Sequence, residues 1–195
     1  MKLESLATIN TGLVTARKQA KEWEKSCKSY KTLNLKAINE KGYIDDDLIE
    51  EFRAIEEIKT VYLTQMGDIV VRLTTPFTAV LIDEQHEGLI IPSHFVVIRA
   101  NKKKILPEYL YWLLNTEQVK QELQQNINST IIGTVKPKTY ATLNIECLEL
   151  EEQRQIGELN LLAKRELYLW VQIMAQKELY YKEAINKIQK EMRKK

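Results

Sequence analysis

Few side chains in this 195-residue sequence combine the types and spacing that chemistry requires. His86 and His94 are the only histidines, and neither has a Cys or Glu at metal-ligand spacing, so no zinc site is expected. Cys27 and Cys147 are too few for a disulfide framework and are read as reduced thiols. No Ser-His-Asp or Cys-His arrangement, glycine-rich phosphate loop or dinucleotide fingerprint is present. One acidic pattern has metal-binding chemistry: Asp45-Asp46-Asp47 followed by Glu57-Ile58-Lys59 has the Asp…Glu-x-Lys order by which nucleases hold a divalent cation. No strand-like segment around Asp45 would aim it at a metal, and acidic residues at this density produce such triplets by chance. Neither a catalytic residue nor a metal site is expected.

Charge offers a different chemistry. The formal charge is only +2, which excludes a uniformly basic coat, so polyanion binding would have to come from clustering. Clustering is strong. Residues 16–36 carry Arg17, Lys18, Lys21, Lys25, Lys28, Lys31 and Lys36 against Glu22 and Glu24, a net +5. Residues 40–57 carry eight acidic side chains against Lys41 and Arg53, a net −6. Arg99 with Lys102, Lys103 and Lys104 forms a second basic cluster, and Lys136 with Lys138 a third. About six to ten well-placed cations suffice for tight duplex binding, although most charge runs are simply solvated faces.

The elements that must position these residues are punctuated by six glycines and four prolines, all between Gly12 and Gly157. Leu3, Leu6 and Ile9 belong to a short apolar element ending at the turn-like Asn10-Thr11-Gly12. Strands are expected over 30–38, 69–73, 78–82, 89–91, 95–98 and 145–150, from β-branched and alternating apolar residues bounded by Gly, Pro and Asp. Residues 39–57 read only as an acidic stretch. A helix is expected from Pro107 to about Gln125, with proline in its first turn, Glu108 near the positive dipole end and Leu110, Leu113 and Leu114 on one face. Residues 126–134 read as a loop, and Pro137 starts a short helical turn.

From Glu152 onward the sequence reads as uninterrupted helix. Ile156, Leu159, Ala163, Leu167, Trp170, Met174, Tyr181, Ile185, Ile188 and Met192 recur at steps of three or four, with one gap at Lys177-Glu178. About forty helical residues span ~60 Å, more than a compact domain of this size needs, so the stripe is expected to be covered by a helix of another chain. The start, Met1-Lys2-Leu3-Glu4-Ser5, lacks a signal-peptide h-region and no long apolar run occurs, so a cytoplasmic protein without a membrane partner is expected. The fold class is α+β: a mixed-sheet globular domain, residues 1–150, followed by one long helix, residues 151–195, in an intermolecular coiled coil.

The order of these segments resembles the specificity (S) subunit of type I restriction-modification systems. Leu3-Glu4-Ser5-Leu6-Ala7-Thr8-Ile9-Asn10-Thr11-Gly12 is similar to that family's first strand and its turn into a DNA-facing loop. Gly67-Asp68-Ile69-Val70-Val71-Arg72 is similar to its G-D-I/V-L strand, and Ile105-Leu106-Pro107-Glu108-Tyr109-Leu110-Tyr111-Trp112-Leu113-Leu114 to its I-x-P-x-F/Y-L-Y-Y-L-L helix. Ile127-Asn128-Ser129-Thr130, with residues 135–143, is similar to its G-S-T loop segment. Leu148-Glu149-Leu150-Glu151-Glu152-Gln153-Arg154-Gln155-Ile156 is similar to the P-L-x-E-Q-x-x-I run that introduces the conserved helix. The family pattern differs at Glu146-Cys147-Leu148-Glu149, where prolines are usual, at Ser93-His94, where Asn-Gln is common, and after Arg72, where a glycine is usual.

The resemblance implies a half-length S subunit, with one DNA target-recognition domain and one helix where the full-length protein has two of each. It implies double-stranded DNA as ligand, and methyltransferase (modification) and restriction subunits as partners. It also implies self-association as an antiparallel homodimer, or pairing with a second specificity chain. This subunit would bind no cofactor; S-adenosylmethionine, ATP and Mg would belong to the partners. Implied DNA contacts are Arg17, Lys18, Lys21, Lys36, Arg72, Thr74, Thr75, Ser93, His94, Ser129, Thr130, Thr134, Lys136 and Lys138. Implied dimer contacts are Leu159, Ala163, Leu167, Trp170, Met174, Tyr181, Ile185, Ile188 and Met192. A stand-alone dimeric DNA-binding regulator and the metal-dependent nuclease are the competing readings.

Overall fold

The computed structural model describes residues 1–21, 23, 27–127 and 133–193. A four-stranded sheet forms the framework: β1 (Ala7–Thr11), β4 (Asp68–Arg72), β5 (Ala79–Leu81) and β6 (Phe95–Ala100), in the order β1-β6-β4-β5. β2 (Lys28–Thr32) and β3 (Glu50–Ala54) make a separate two-stranded sheet. All strand ladders are antiparallel, and among the described residues parallel pairing is confined to the single bridges Leu13–Pro92 and Thr32–Ile90. The α+β class follows as expected, but the sheets are antiparallel where the sequence expectation is a mixed sheet.

β4 and β6 are nearly continuous runs of Val, Ile and Phe because both faces of the sheet are covered. Val70, Val80, Phe95 and Val97 pack with Leu33, Ile38, Ile82, Leu89 and Ile91 on one side. The two-residue strand period turns Ile69, Val71, Val96 and Ile98 to the other face, and α1 (Pro107–Leu114) packs on β4, β5 and β6. The start of β4 is tied to the end of β6 by an ion pair. Arg99 Nε donates to Asp68 Oδ1 at 2.9 Å and Arg99 Nη2 to Oδ2 at 3.1 Å, with Asp68 buried. Elsewhere in the same unit, buried His86 bridges Asp83 (2.5 Å) and Asp46 (2.9 Å).

Several elements differ from the sequence expectation. The strand expected over 30–38 is β2, Lys28–Thr32, and Leu33 leaves the ladder to donate its N–H to the Ile90 carbonyl. The acidic stretch contains β3, which the sequence does not signal because Glu50, Glu51 and Arg53 are exposed on it. Leu89-Ile90-Ile91 is buried and extended but makes only isolated bridges. The helix expected from Pro107 to Gln125 is two helices, α1 and α2 (Glu117–Gln125). Asn115 ends the first by bonding Ala79 and the Tyr111 carbonyl through its side chain, and Thr116 caps the second at Val119 N–H. α3 (Pro137–Thr142) starts at its proline as expected. Residues 145–150 form no strand: Ile145 donates to the Met1 carbonyl, and Leu150 already opens α4.

α4 (Leu150–Met192) runs 43 residues. Two compact units divide it: Met1–Glu158 and Leu159–Lys195. Within the first unit the opening turns are locked by Gln153, which is fully buried. Its Oε1 accepts from Leu106 N–H at 2.8 Å and its Nε2 donates to the Leu148 carbonyl at 2.8 Å. Gly157 lets α4 lie directly on α1, since a Cβ there would meet Glu108 Cβ at 2.8 Å and Tyr109 N at 3.0 Å. In the second unit Leu159, Ala163, Leu167, Trp170, Met174, Tyr181, Ile185, Ile188 and Met192 are all exposed. Among the described residues no helix is long and apolar enough to cross a membrane.

Candidate nucleic-acid interface

Strand polarity gathers the candidate residues. β1 and β4 both run antiparallel to β6, with Thr11 opposite Val96 and Arg72 opposite Phe95, while Ala79 opens β5 opposite Val71. The segments that follow β1, connect β4 to β5 and precede β6 therefore emerge at one end of the sheet. Gly12 donates to the Phe95 carbonyl at 3.1 Å and Leu13 to Ile91 at 2.7 Å. Only glycine fits at residue 12, because a Cβ would lie 2.0 Å from the Pro92 carbonyl oxygen.

Leu73 is the hub of the cluster. Its N–H donates to the His94 carbonyl at 3.0 Å, and its own carbonyl accepts from Val135 N–H at 2.9 Å. Thr74 bridges Thr134, and Tyr140 of α3 donates its hydroxyl to the Arg72 carbonyl at 3.0 Å. Burial pushes the Tyr140 phenol well above its ordinary value and keeps it a donor. The turn from Thr74 to Phe77 holds buried Phe77 at φ 55°, a strained conformation for a side chain of this size. Arg72, Thr74, Thr75, Ser93, His94, Thr134, Lys136 and Lys138 are thus brought together, with Thr75, Thr134, Lys136 and Lys138 on the outer side of the cluster.

Three polar atoms in this cluster are buried without a hydrogen-bond partner among the described residues: Arg72 Nε, His94 Nε2 and Thr78 Oγ1. Leaving such a group unpaired costs about 1–3 kcal/mol; Arg72 and His94 are half-buried at the ends of β4 and β6, whereas Thr78 is fully buried. His94 lies tilted against the Phe95 ring, with centroids 4.4 Å apart. Its burial, reinforced by the Arg72 charge, holds the imidazole below its ordinary value and therefore neutral near pH 7. Thr78 is the member that the sequence does not reveal, since it reads there as the first residue of a strand.

The basic stretch behaves differently. Residues 18–20 run alongside β3, with Ile55 donating to the Lys18 carbonyl at 2.9 Å and Ala20 to Arg53 at 2.7 Å. Lys18 forms an ion pair with Glu56, and Lys28 with Glu57 at 2.6 Å, while Lys31 stands opposite Glu51. Hydrogen bonds from these lysines hold the Glu56 and Glu57 carboxyls below the usual range. Three lysines of the +5 segment, Lys18, Lys28 and Lys31, therefore face carboxylates of the −6 segment across this small sheet. Arg17 remains exposed after β1, and Lys21 places its Nζ 5.2 Å from the Trp23 ring centroid. Lys36 is held elsewhere, in a turn closed by Asn34 Oδ1, which accepts from Lys36 and Ala37 N–H at 2.8 Å, and linked to Asp45 and Leu48. Ser129 and Thr130 lie outside the described residues.

The acidic metal pattern is dismantled by the fold. Asp45 caps a helical turn at Asp47 N–H, Asp46 bonds His86, and Glu57 bonds Lys28. Among the described residues no group of three His, Cys, Asp or Glu side chains is placed to hold a metal ion.

The chain matches no protein-family model and no curated protein. Its structure is similar to that of the HsdS subunit from Thermoanaerobacter tengcongensis, at a TM-score of 0.64 and 19% sequence identity, over 91% of this chain and 45% of that one. It is similar as well to a chain in a structure described as the structural basis underlying complex assembly and conformational transition of the type I R-M system. There the TM-score is 0.63 and the identity 18%, again over 91% of this chain and 45% of that chain. The chain thus spans about half the length of these neighbours, and it has the fold of an HsdS-like α+β unit followed by one helix.

Proposed function

We propose that this chain recognises double-stranded DNA as a specificity subunit of a type I restriction-modification system and carries out no catalysis itself. The observation that carries the reading is the loop cluster at one end of an HsdS-like sheet, where Arg72, His94 and Thr78 hold unpartnered polar atoms beside Thr75, Thr134, Lys136 and Lys138. Lysine and arginine on phosphates would supply affinity. A few side chains on base edges would supply discrimination, about 1–3 kcal/mol for each good bidentate pair.

In this reading the globular unit reads one half of a split site, and α4 pairs antiparallel with a second copy to hold two such units on a palindromic, interrupted sequence. Modification subunits that methylate adenine with S-adenosylmethionine, and ATP-driven restriction subunits, assemble on this frame. The test is co-expression with a modification subunit encoded beside it, followed by purification and mapping of methylated adenines in the host DNA. A stable complex and methylation at one interrupted palindrome are expected. A chain that retains no modification subunit and binds all duplexes alike would overturn the proposal.

A further inference from the structure

The exposed stripe of α4 is symmetric about a point within it. Met174 and Tyr181 are equidistant from the midpoint of Lys177 and Glu178, and so are Trp170 and Ile185, Leu167 and Ile188, and Ala163 and Met192. All eight flanking side chains are exposed, as are Lys177 and Glu178 themselves. The one interruption of the apolar series therefore sits at its centre and consists of two adjacent residues of opposite charge.

We propose that α4 pairs with α4 of a second copy, antiparallel and in a single register, with the two-fold axis passing between Lys177 and Glu178. The inference rests on the dimeric reading above and specifies its partner residue by residue. In this register Met174 meets Tyr181 of the second copy, and Trp170 meets Ile185. Leu167 meets Ile188, and Ala163 meets Met192. Lys177 meets Glu178 of the second copy twice, once on each side of the axis.

Competing arrangements lose both features. Sliding one helix by a heptad sets Lys177 and Glu178 of each copy against Trp170 and Val171, or against Ala184 and Ile185, so two charged layers lie on apolar ones. A parallel, in-step pair sets Lys177 against Lys177 and Glu178 against Glu178. A single polar layer that is satisfied only in one alignment is the device by which helix pairs fix orientation and register. The overlap from Ala163 to Met192 extends ~45 Å and covers the stripe from Ala163 onward.

Two measurements on the full chain test the proposal. Met174→Cys with Tyr181→Cys, in a Cys27→Ser, Cys147→Ser background, forms a covalent dimer on oxidation, because the two sites on one helix are ~10 Å apart and can bond only across the pair. Met174→Cys with Ile188→Cys, one heptad out of register, does not. In parallel, sedimentation equilibrium follows the charges. Glu178→Lys and Lys177→Glu each raise the dimer dissociation constant about tenfold, and the double exchange Lys177→Glu, Glu178→Lys returns it to near the original value. A dimer that bonds through the Met174→Cys, Ile188→Cys pair, or whose double exchange fails to recover, overturns the register and leaves the dimeric reading standing. A chain that stays monomeric, or assembles only with a different chain, overturns both.

Discussion

At the scale of the residue, the candidate interface consists of small polar and basic side chains whose value depends on where the sheet puts them. Thr74, Ser93, His94 and Thr134 have no shared motif, and only their position at the ends of β4 and β6 unites them. Charge is legible in the sequence as clusters, but its cancellation is not, since Lys18 and Lys28 find Glu56 and Glu57 through strand pairing that an acidic, exposed β3 conceals. The cations outside that cancellation matter more. Replacing Lys136 and Lys138 together by Glu should weaken binding to every duplex and reduce the salt slope by about 0.9 for each phosphate no longer neutralised, measured by titration at several salt concentrations. Lys18→Ala should leave the slope nearly unchanged. His94 gives a second expectation. Its imidazole is held below its ordinary value of 6.5 by burial and by Arg72. The unfolded chain therefore takes up the proton first as pH falls, so stability is full above about pH 6.5 and declines below it. His94→Gln should flatten that decline in thermal melts between about pH 5 and pH 7.

At the scale of the element, the strongly patterned segments are readable and the compromise segments are not. β4, β6 and the start of α1 follow from runs of Val, Ile and Phe and from a proline in a first helical turn. The break between α1 and α2 escapes because Asn115 serves Ala79 on the sheet, a tertiary demand that helical periodicity does not carry. Residues 145–150 look like a strand, yet Ile145 only exchanges hydrogen bonds with Met1, and Leu150 already opens α4. Gly157 shows how packing inverts a local preference. Glycine in a helix interior ordinarily costs about 1 kcal/mol relative to alanine. Here the added methyl would press on α1 at 2.8–3.0 Å. Gly157→Ala should therefore destabilise the first unit by about 1–3 kcal/mol in chemical denaturation instead of stabilising it.

At the scale of the whole molecule, the sequence already announces two kinds of polypeptide, one punctuated by glycine and proline and one without either. The boundary between the compact units falls at Glu158, two turns into α4, because Gln153 and Gly157 commit those turns to the globular unit. Ending the chain after Glu158 should remove self-association while leaving the melting of the first unit intact, as read by sedimentation and circular dichroism. On the dimeric reading proposed above, DNA affinity should then fall by far more than a factor of about two, since two linked half-sites would bind with a high effective concentration. The opposite ends of the sheet divide labour in a way that bears on history. One end is stitched by Asp68 and Arg99, while the other carries threonines and lysines that support no core. Substitutions at such surface positions usually change stability by less than about 0.5 kcal/mol. On the proposed DNA-reading role, an end built this way would change its sequence preference by point mutation without passing through an unfoldable intermediate.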